Sequence, residues 1–175
     1  MTMNVRTVYL GLGTNLSDRH AWLDRGVAAL EASLVERRAI QAMSMSPRYE
    51  TEAWGMAEGT PAFLNMVVGV DTDMRLDALL RVLLEIEREH GRVRDTGAEG
   101  YLNRTLDMDI LCTSDGETWS SEDLVVPHPR MTSRRFVLQP LADLSPHLTV
   151  ADQTVLAALE ACPSRPEVVP VAAPS

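Results

Sequence analysis

The sequence predicts an α/β (α+β) domain in which helices flank a mostly antiparallel sheet. Three observations predict it: apolar runs of strand length, longer segments with apolar residues at helical spacing, and the order of the two along the chain. The chain has 175 residues, 45% of them hydrophobic, which suits one domain with a buried core. We place that domain at residues 1–162 and expect the tail at 163–175, rich in Pro, Val and Ala, to be disordered.

The first half of the chain predicts a strand, a helix and two further strands. Residues 6–13 form a short apolar run typical of a buried strand. The helix that follows carries one apolar stripe, formed by Leu23, Val27, Leu30 and Leu34. Strands are then predicted at 39–51 and 63–70, and Pro47 indicates an edge or a bulge in the first of these two.

The second half predicts a helix, a strand and two short helices. The first helix begins at Asp73, and Gly91 follows its end in the position where glycine is common. A strand is predicted at 105–113, and helices at 134–144 and 152–161. The order strand, helix, strand, strand, helix, strand is that of a ferredoxin-like sandwich with an antiparallel sheet. Many functions use this architecture, so the fold alone does not indicate one.

The net charge of −9 argues against a general nucleic-acid binder, because such proteins usually carry a basic surface. Two cysteines, Cys112 and Cys162, make neither a disulfide framework nor a metal set. The first apolar run, at 8–12, is too short for a signal peptide, and no run approaches a membrane span. We therefore expect a cytoplasmic protein with small-molecule partners, no nucleic acid and no membrane, and we expect it to be a monomer.

All sixteen basic residues are arginine. The absence of lysine excludes a lysine Schiff base and a phosphate-loop lysine. A phosphate site in this chain must therefore use guanidinium groups, whose planar fork binds oxyanions in a bidentate way. Seven arginines lie between residues 88 and 135: Arg88, Arg92, Arg94, Arg104, Arg130, Arg134 and Arg135. A local arginine cluster in an acidic protein predicts a small polyanionic ligand.

The segment 11–16, Gly-Leu-Gly-Thr-Asn-Leu, follows a strand and precedes a helix, as a dinucleotide-binding loop does. The third glycine of that fingerprint would fall at Leu16, so the motif fails. A tight turn between strand and helix is the simpler interpretation.

Asp107 and Asp109 are the most informative pair of acids. Residues i and i+2 of a strand point to the same face, so Leu106, Met108 and Ile110 face the core and both carboxylates share the other face. Their Cα atoms would lie roughly 6.5 Å apart, a spacing that can hold one or two Mg²⁺ ions. Two solvated acids on an exposed strand remain the alternative.

Arginines flank this pair. Arg104 lies just before it, and Arg92 and Arg94 lie one loop away. Carboxylates that bind metal beside guanidinium groups that bind phosphate predict a nucleoside triphosphate site, although Arg92 and Arg94 also suit the end of a helix dipole. His128, held between two prolines, could contact a phosphate or could be an exposed loop histidine.

Aromatic residues and one amide suit a flat heterocycle. Phe63 and Phe136 are the only phenylalanines, and Trp54 lies in a glycine-rich loop. Such rings can stack on a heterocycle, although core packing is their commoner role. Asn65 shares the predicted strand face of Phe63, and its amide can donate to and accept from a ring edge.

These residues together resemble the hydroxymethyl-dihydropterin pyrophosphokinase family over about residues 8–150. The similar segments, in order, are Gly-Leu-Gly-Thr-Asn-Leu at 11–16, Tyr-Glu-Thr-Glu at 49–52, Phe-Leu-Asn at 63–65, Glu87 with Gly-Arg-Val-Arg at 91–94, Arg-Thr-Leu-Asp-Met-Asp at 104–109, Val-Pro-His-Pro-Arg-Met at 126–131 and Arg-Arg-Phe-Val-Leu at 134–138. The Arg-x-x-Asp-x-Asp and Pro-His-Pro-Arg segments at this separation make the resemblance specific.

The resemblance implies a role for each matching residue. The implied metal ligands, for two Mg²⁺ ions, are Asp107 and Asp109. The implied catalytic residues are Arg92, Arg104, Asp107 and Asp109. The implied contacts to ATP, the co-substrate, are Glu87, Arg92, Arg94, Arg104, Ile110, His128 and Arg134. The implied contacts to the pterin are Thr51, Trp54, Phe63, Asn65 and Phe136.

The implied reaction transfers pyrophosphate from ATP to the hydroxymethyl group of 6-hydroxymethyl-7,8-dihydropterin in folate biosynthesis, and it releases AMP. Loops at 93–103 and 51–61 would close over the substrates and exclude water. Two alternatives stay open. One is another Mg²⁺-dependent nucleotidyl- or phosphotransferase, and the other is a non-catalytic module that binds a pterin or a nucleotide.

Overall fold

The structure, a computed structural model, describes residues 4–16, 18–53, 56–91, 106–172 and 174. Within these residues the strands are β1 Arg6–Thr14, β2 Ala42–Met45, β3 Arg48–Thr51, β4 Phe63–Thr72, β5 Asp107–Thr113, β6 Trp119–Ser120, β7 Val125–Val126, β8 Thr149–Val150, β9 Gln153–Thr154 and β10 Val168–Val171. The helices described are α1 Arg19–Glu36, α2 Leu76–Glu89, α3 Arg135–Leu144 and α4 Val155–Ala161, with a short 3-10 helix at Met131–Ser133.

One antiparallel sheet organises this part of the chain. Its strand order is β10-β3-β4-β1-β5, and β2 also pairs with β4. The pairs β6-β7 and β8-β9 are separate two-stranded ribbons. The predicted fold class, helices flanking a mostly antiparallel sheet, is confirmed.

The two faces of the sheet pack against different helices. On one face α1 and α2 cover a core that includes Leu10, Leu30 and Met108. On the other face α3 and α4 cover a second core that includes Leu111 and Leu141. Along β5, Met108 and Ile110 belong to the first core, because residues two apart on a strand share a face. Leu111 and Cys112 both belong to the second core, where the pairing of β5 with β1 shifts register.

The ends of the first two helices follow from local chemistry. The Asp18 side chain accepts a hydrogen bond of 3.1 Å from the N–H of Ala21, which caps α1. Three leucines of the predicted stripe on α1, at positions 23, 30 and 34, are fully buried. Beyond the end of α2, Gly91 has a φ of +83°, a left-handed conformation that favours glycine and ends the helix.

The second predicted strand and the predicted tail both differ from the structure. The single strand expected at 39–51 is two strands, β2 and β3, interrupted at Pro47, because proline has no N–H to donate to a ladder. The prediction of disorder is wrong for residues 168–171, which form β10 and pair with β3, with Val168 opposite Thr51. The tail has an extended partner there, and its valines favour strand pairing.

Candidate active site

A cavity of about 760 Å³ lies between the sheet and the segment that leads into α3. Strands β1, β4 and β5 form its floor, and β3 and the chain after α4 contribute further walls. The lining includes eight residues that the sequence singles out: Thr51, Phe63, Asn65, Asp107, Asp109, His128, Arg134 and Phe136. A cavity of this size is within the usual range for small-molecule sites.

The two acids of β5 share one face of the sheet. Asp107 and Asp109 both line the cavity, whereas Met108 and Ile110 are 2% exposed and pack in the core under α1 and α2. The predicted alternation of β5 is therefore confirmed. Both carboxylates also take part in contacts within the protein.

Gly13 separates the acid pair from the amide of Asn65 on the floor of the cavity. In the sheet register Gly13 lies opposite Asn65 on one side and opposite Asp107 on the other. Adjacent strands are about 4.8 Å apart, so the backbones of Asn65 and Asp107 lie about 10 Å apart. A Cβ atom at Gly13 would lie 2.7 Å from Oδ1 of Asn65, so any other residue would have to displace this amide. The glycines expected in a turn therefore lie within β1.

The acid pair is supported from beneath by Glu87 of α2. Glu87 is 2% exposed, and its Oε1 accepts a hydrogen bond from the backbone N–H of Met108. This contact fixes β5 against α2 between Asp107 and Asp109. The carboxylate of Glu87 lies in the core and does not line the cavity.

The other end of the cavity is aromatic and amide-rich. Phe63 and Asn65 project from β4, and Phe136 projects from the first turn of α3. Thr51 is 4% exposed, and its Oγ1 lies 3.5 Å from Nδ2 of Asn65. Two aromatic rings and a nearly buried amide suit a flat heterocycle with polar edges.

His128 lies at the corner between β7 and the 3-10 helix. Its backbone N–H donates to the carbonyl of Leu111, and the N–H of Arg130 donates to its Nδ1 at 3.1 Å. Burial lowers the pKa of His128, and Arg134 and Arg130 lower it further, while Asp107 acts in the opposite direction. A neutral ring that accepts at Nδ1 carries its proton on Nε2, which leaves Nε2–H as a donor.

Arginines give the cavity a cationic side. Arg130, Arg134, Arg135 and Arg165 line it, against the carboxylates of the acid pair and of Glu52. The guanidinium carbon of Arg134 lies 5.6 Å from the ring centroid of Phe136. This cation–π contact places the positive charge next to the aromatic end of the cavity.

Some predicted site residues are elsewhere. Ile110 packs in the core on the opposite face of the sheet, so its side chain does not line the cavity. Arg92, Arg94, Arg104 and Trp54 lie outside the described residues. The roles assigned to all these residues stay predictions.

Several lining residues have no individual role predicted from the sequence, although two of them, Arg130 and Arg135, belong to the predicted arginine cluster. These are Glu52, Met56, Arg130, Ser133, Arg135 and members of the chain at 162–166. Arg130 belongs to the Pro-His-Pro-Arg segment, and its position two residues after His128 was a usable signal. The chain at 162–166 gave none, because its composition resembles that of a linker.

The donors present fit Mg²⁺. Two carboxylates on one strand face are hard oxygen ligands, and Mg²⁺ usually takes one or two carboxylates together with water and substrate phosphates. Among the described residues there is no group of three or more His, Cys, Asp or Glu side chains that could hold a metal. The described residues therefore include no closed set of protein ligands of the kind that holds zinc. The two acids are consistent with a metal site in which phosphate oxygens supply the other ligands.

Comparison with known proteins adds to this geometry. The family model for 7,8-dihydro-6-hydroxymethylpterin-pyrophosphokinase (HPPK) matches residues 9–146. The chain is 40% identical over 141 residues to a 2-amino-4-hydroxy-6-hydroxymethyldihydropteridine pyrophosphokinase of Porphyromonas gingivalis, covering 81% of this chain and 92% of the relative. It is 39% identical over 160 residues to the protein of the same name from Pseudomonas aeruginosa, covering 91% and 93%.

Solved structures agree on the fold. A crystal structure of Plasmodium falciparum HPPK-DHPS with pteroate superposes with a TM-score of 0.64 at 15% identity. The match covers 90% of this chain and 42% of that longer one, so the chain spans less than half of that protein. A likeness at this identity shows the fold alone.

These matches define the chain as an ATP-dependent diphosphotransferase, an enzyme class that transfers two phosphate groups as one unit. The chain belongs to the 7,8-dihydro-6-hydroxymethylpterin-pyrophosphokinase family. The resemblance stated from the sequence is confirmed, and the two alternatives, another transferase or a non-catalytic module, are not favoured. Within the described residues, no helix combines the length and the apolar character that a bilayer crossing requires.

Proposed function

We propose that this chain transfers pyrophosphate from ATP to the hydroxymethyl group of 6-hydroxymethyl-7,8-dihydropterin, as a step of folate biosynthesis, and that the cavity described above is where the transfer takes place. The family match and the names of the curated relatives support the reaction. The geometry of the cavity supports its location.

One observation carries the location. Asn65 and Asp107 face the same cavity from two strands that flank β1, with only the backbone of Gly13 between them. Because Gly13 has no side chain, a pterin held at its polar edge by Asn65 can extend past β1 toward Asp107. Its hydroxymethyl group then points along the sheet toward the acid pair.

In the reaction the hydroxymethyl oxygen attacks the β-phosphorus of ATP. The bond between that phosphorus and the oxygen bridging to the α-phosphorus breaks, AMP departs with this oxygen, and the hydroxyl proton is released. Much of the catalysis would come from positioning, because phosphoryl transfer needs little covalent help from the protein. Asp109 would orient the hydroxyl group.

Several cationic and hydrogen-bond-donating side chains would bind the negatively charged triphosphate. We assign Arg92, Arg104 and Arg134 to its oxygens, with Nε2–H of His128 as a further donor, and Arg94 as a loop cation. Glu87 and Ile110 would act from beneath β5, Glu87 by holding the strand. Two Mg²⁺ ions, held by the acid pair, would neutralise the phosphate oxygens when bound.

The pterin would be held by Phe63 and Phe136 on its two faces and by Asn65 at its edge. Thr51 lies beside Asn65 and would assist it. Trp54 is assigned to the loop that covers the ring. These assignments follow the resemblance, and they are supported by the lining of the cavity, to which Phe63, Phe136, Asn65 and Thr51 all contribute.

A coupled AMP-release assay with ATP, Mg²⁺ and the pterin tests the proposal. AMP release should require the pterin and should fall by ~10²-fold or more in Asp109→Ala, because charge stabilisation at the transferring group is a large part of catalysis. Asp123→Ala removes an exposed acid that does not line the cavity and should leave the rate unchanged. AMP release that is independent of the pterin, or equal in the two variants, would contradict it.

We further propose that the chain acts in the cytoplasm and as a monomer. Both cysteines, Cys112 and Cys162, are buried free thiols, which is consistent with a reducing compartment. Light scattering on the purified protein across the micromolar range would show one species of 19.3 kDa. A stable larger species would contradict the monomer.

A further inference from the structure

We propose that residues 162–171, here called the C-terminal strap, form one wall of the aromatic end of the cavity, here also called the pterin end because the pterin is proposed to bind there. We further propose that Arg165 on this strap contacts the bound pterin ring. The inference rests on the proposed function and extends it to a segment outside the residues 9–146 that match the family.

The strap lines the same cavity as the proposed pterin contacts. Cys162, Pro163, Arg165 and Pro166 all contribute to its wall. They come from a part of the chain that follows α4, whereas the floor comes from β1, β4 and β5. Without the strap, the cavity would therefore be open on this side.

Side-chain contacts hold the start of the strap against α3. Nη1 of Arg135 donates to the carbonyl of Leu159 at 3.2 Å and to the carbonyl of Cys162 at 3.3 Å. Arg135 is the neighbour of Phe136 and itself lines the cavity. The entry of the strap is thus tied to the helix turn that carries an aromatic pterin contact.

Strand pairing holds the end of the strap against β3. Val168 lies opposite Thr51 and Val171 lies opposite Arg48, in an antiparallel ladder. β10 occupies the edge of β3 that would otherwise be open, because β4 occupies the other edge. Thr51 and the chain that follows it, Glu52 and Ala53, line the cavity, so β10 supports the pterin end indirectly as well.

The position of the strap selects the pterin rather than the triphosphate. β10 and β5 lie at opposite edges of the strand order, four strand spacings or about 19 Å apart. Asp107 and Asp109 lie on β5. Because the strap ends at β10, where Val168 pairs with Thr51, a proposed pterin contact, we expect a defect in the strap to weaken pterin binding and to leave nucleotide binding intact.

Arg165 is the charged residue of the strap that lines the cavity, and it also borders a second pocket beside Gln139 and Glu167. Its side chain is exposed, and among the described residues no carboxylate forms an ion pair with it. A guanidinium group can donate to the carbonyl and ring-nitrogen acceptors of a pterin. A hydrogen bond from a charged donor corresponds to a ~10-fold change in affinity.

The test uses two variants of the full enzyme. Arg165→Ala removes the side chain, and a truncation of residues 164–175 removes β10 while it keeps Cys162 in the core. Arg81→Ala, an exposed arginine on α2, is the matched control. Fluorescence titration gives the Kd of 6-hydroxymethyl-7,8-dihydropterin with Mg²⁺ and a non-hydrolysable ATP analogue present, and calorimetry gives the Kd of the analogue alone.

We expect the pterin Kd to rise ~10-fold in Arg165→Ala and further in the truncation, with the Kd of the analogue and the Arg81→Ala control unchanged. Arg165→Ala with a wild-type pterin Kd would overturn the contact, and a folded truncation with a wild-type pterin Kd would overturn the strap as a wall. A wild-type protein that binds no pterin would instead overturn the proposed function, so the two failures are distinct.

Discussion

The carboxylate of Glu87 accepts a hydrogen bond of 2.8 Å from the backbone N–H of Met108, the residue that separates Asp107 from Asp109. Glu87 is 2% exposed, so this contact is shielded from water. A buried group on α2 therefore determines where β5 presents its two acids. The site depends on the packing of a helix that never reaches the cavity.

Replacement of Glu87 should show that its hydrogen bond to Met108 holds β5 in place and that its negative charge is not needed for the reaction. Glu87→Ala leaves the N–H of Met108 unpaired and should lower the free energy of unfolding by about 1–3 kcal/mol and also reduce kcat. Glu87→Gln keeps an acceptor oxygen at nearly the same size and should retain most of the activity. Urea unfolding and AMP release measure the two effects. A folded Glu87→Ala enzyme with wild-type kcat would contradict the support role.

Gly13 should tolerate no side chain. A Cβ atom there would lie 2.7 Å from Oδ1 of Asn65, so Gly13→Ala must displace the amide and should raise the KM for the pterin by ~10-fold or more. Gly11→Ala is the matched control, since its Cβ atom would lie 3.4 Å from the flexible end of Leu111. Steady-state kinetics on both variants give the KM for the pterin, and equal KM values in Gly13→Ala and Gly11→Ala would contradict this prediction.

His128 should make stability depend on pH near neutrality. Burial and the nearby Arg134 and Arg130 lower the pKa of His128 below its ordinary value of 6.5. As the pH falls through 6.5, the unfolded chain takes up a proton that the folded chain does not, so the folded state loses stability until its own lower pKa is reached.

His128→Gln removes this proton and supplies the comparison. Without ligands, wild type should lose stability relative to His128→Gln when the pH falls from 7.5 to 5.5. Urea unfolding of both proteins at the two pH values measures the difference. Parallel pH dependence, or a relative gain by wild type, would show that the pKa is not lowered.

Tyr49 should produce the opposite dependence at high pH. Its hydroxyl donates to Asp143 of α3, and burial together with that carboxylate raises the pKa of Tyr49 to about 12. Above pH 10 the unfolded tyrosine loses its proton while the folded one keeps it, so the folded state loses stability as the pH rises toward 12. Tyr49→Phe should lack this loss of stability between pH 9 and pH 11. Urea unfolding of both proteins at the two pH values measures it, and a difference in free energy of unfolding that is the same at both pH values would contradict the prediction.

The fold and the shared face of Asp107 and Asp109 could be predicted from the sequence, because both follow from the periodic spacing of residues within single strands and helices. The alternation around Asp107 and Asp109 follows from the two-residue period of a strand, and β5 obeys it. The stripe on α1 follows from the helical period in the same way. Each of these patterns lies within one strand or helix, so it can be recognised without knowing what packs against that element.

The remaining features depend on contacts between distant elements. Glu87 acts through a hydrogen bond to Met108, 21 positions away, and nothing in its own helix indicates that partner. The sequence predicts Gly13 in a turn, and only its register with Asn65 shows that it lies within β1. The composition of residues 163–175 predicts disorder, because composition cannot show that the open edge of β3 will accept residues 168–171.

We propose that one cavity joins a pterin pocket to a phosphate-transfer centre and that the chain transfers pyrophosphate there. Mass spectrometry of a single-turnover reaction of wild-type protein with ATP, Mg²⁺ and 6-hydroxymethyl-7,8-dihydropterin tests it most directly. We expect AMP and the pterin diphosphate in equal amounts, both formed ~10²-fold or more slowly by Asp109→Ala. An adenylylated pterin with free pyrophosphate, or no pterin product from the folded protein, would contradict it.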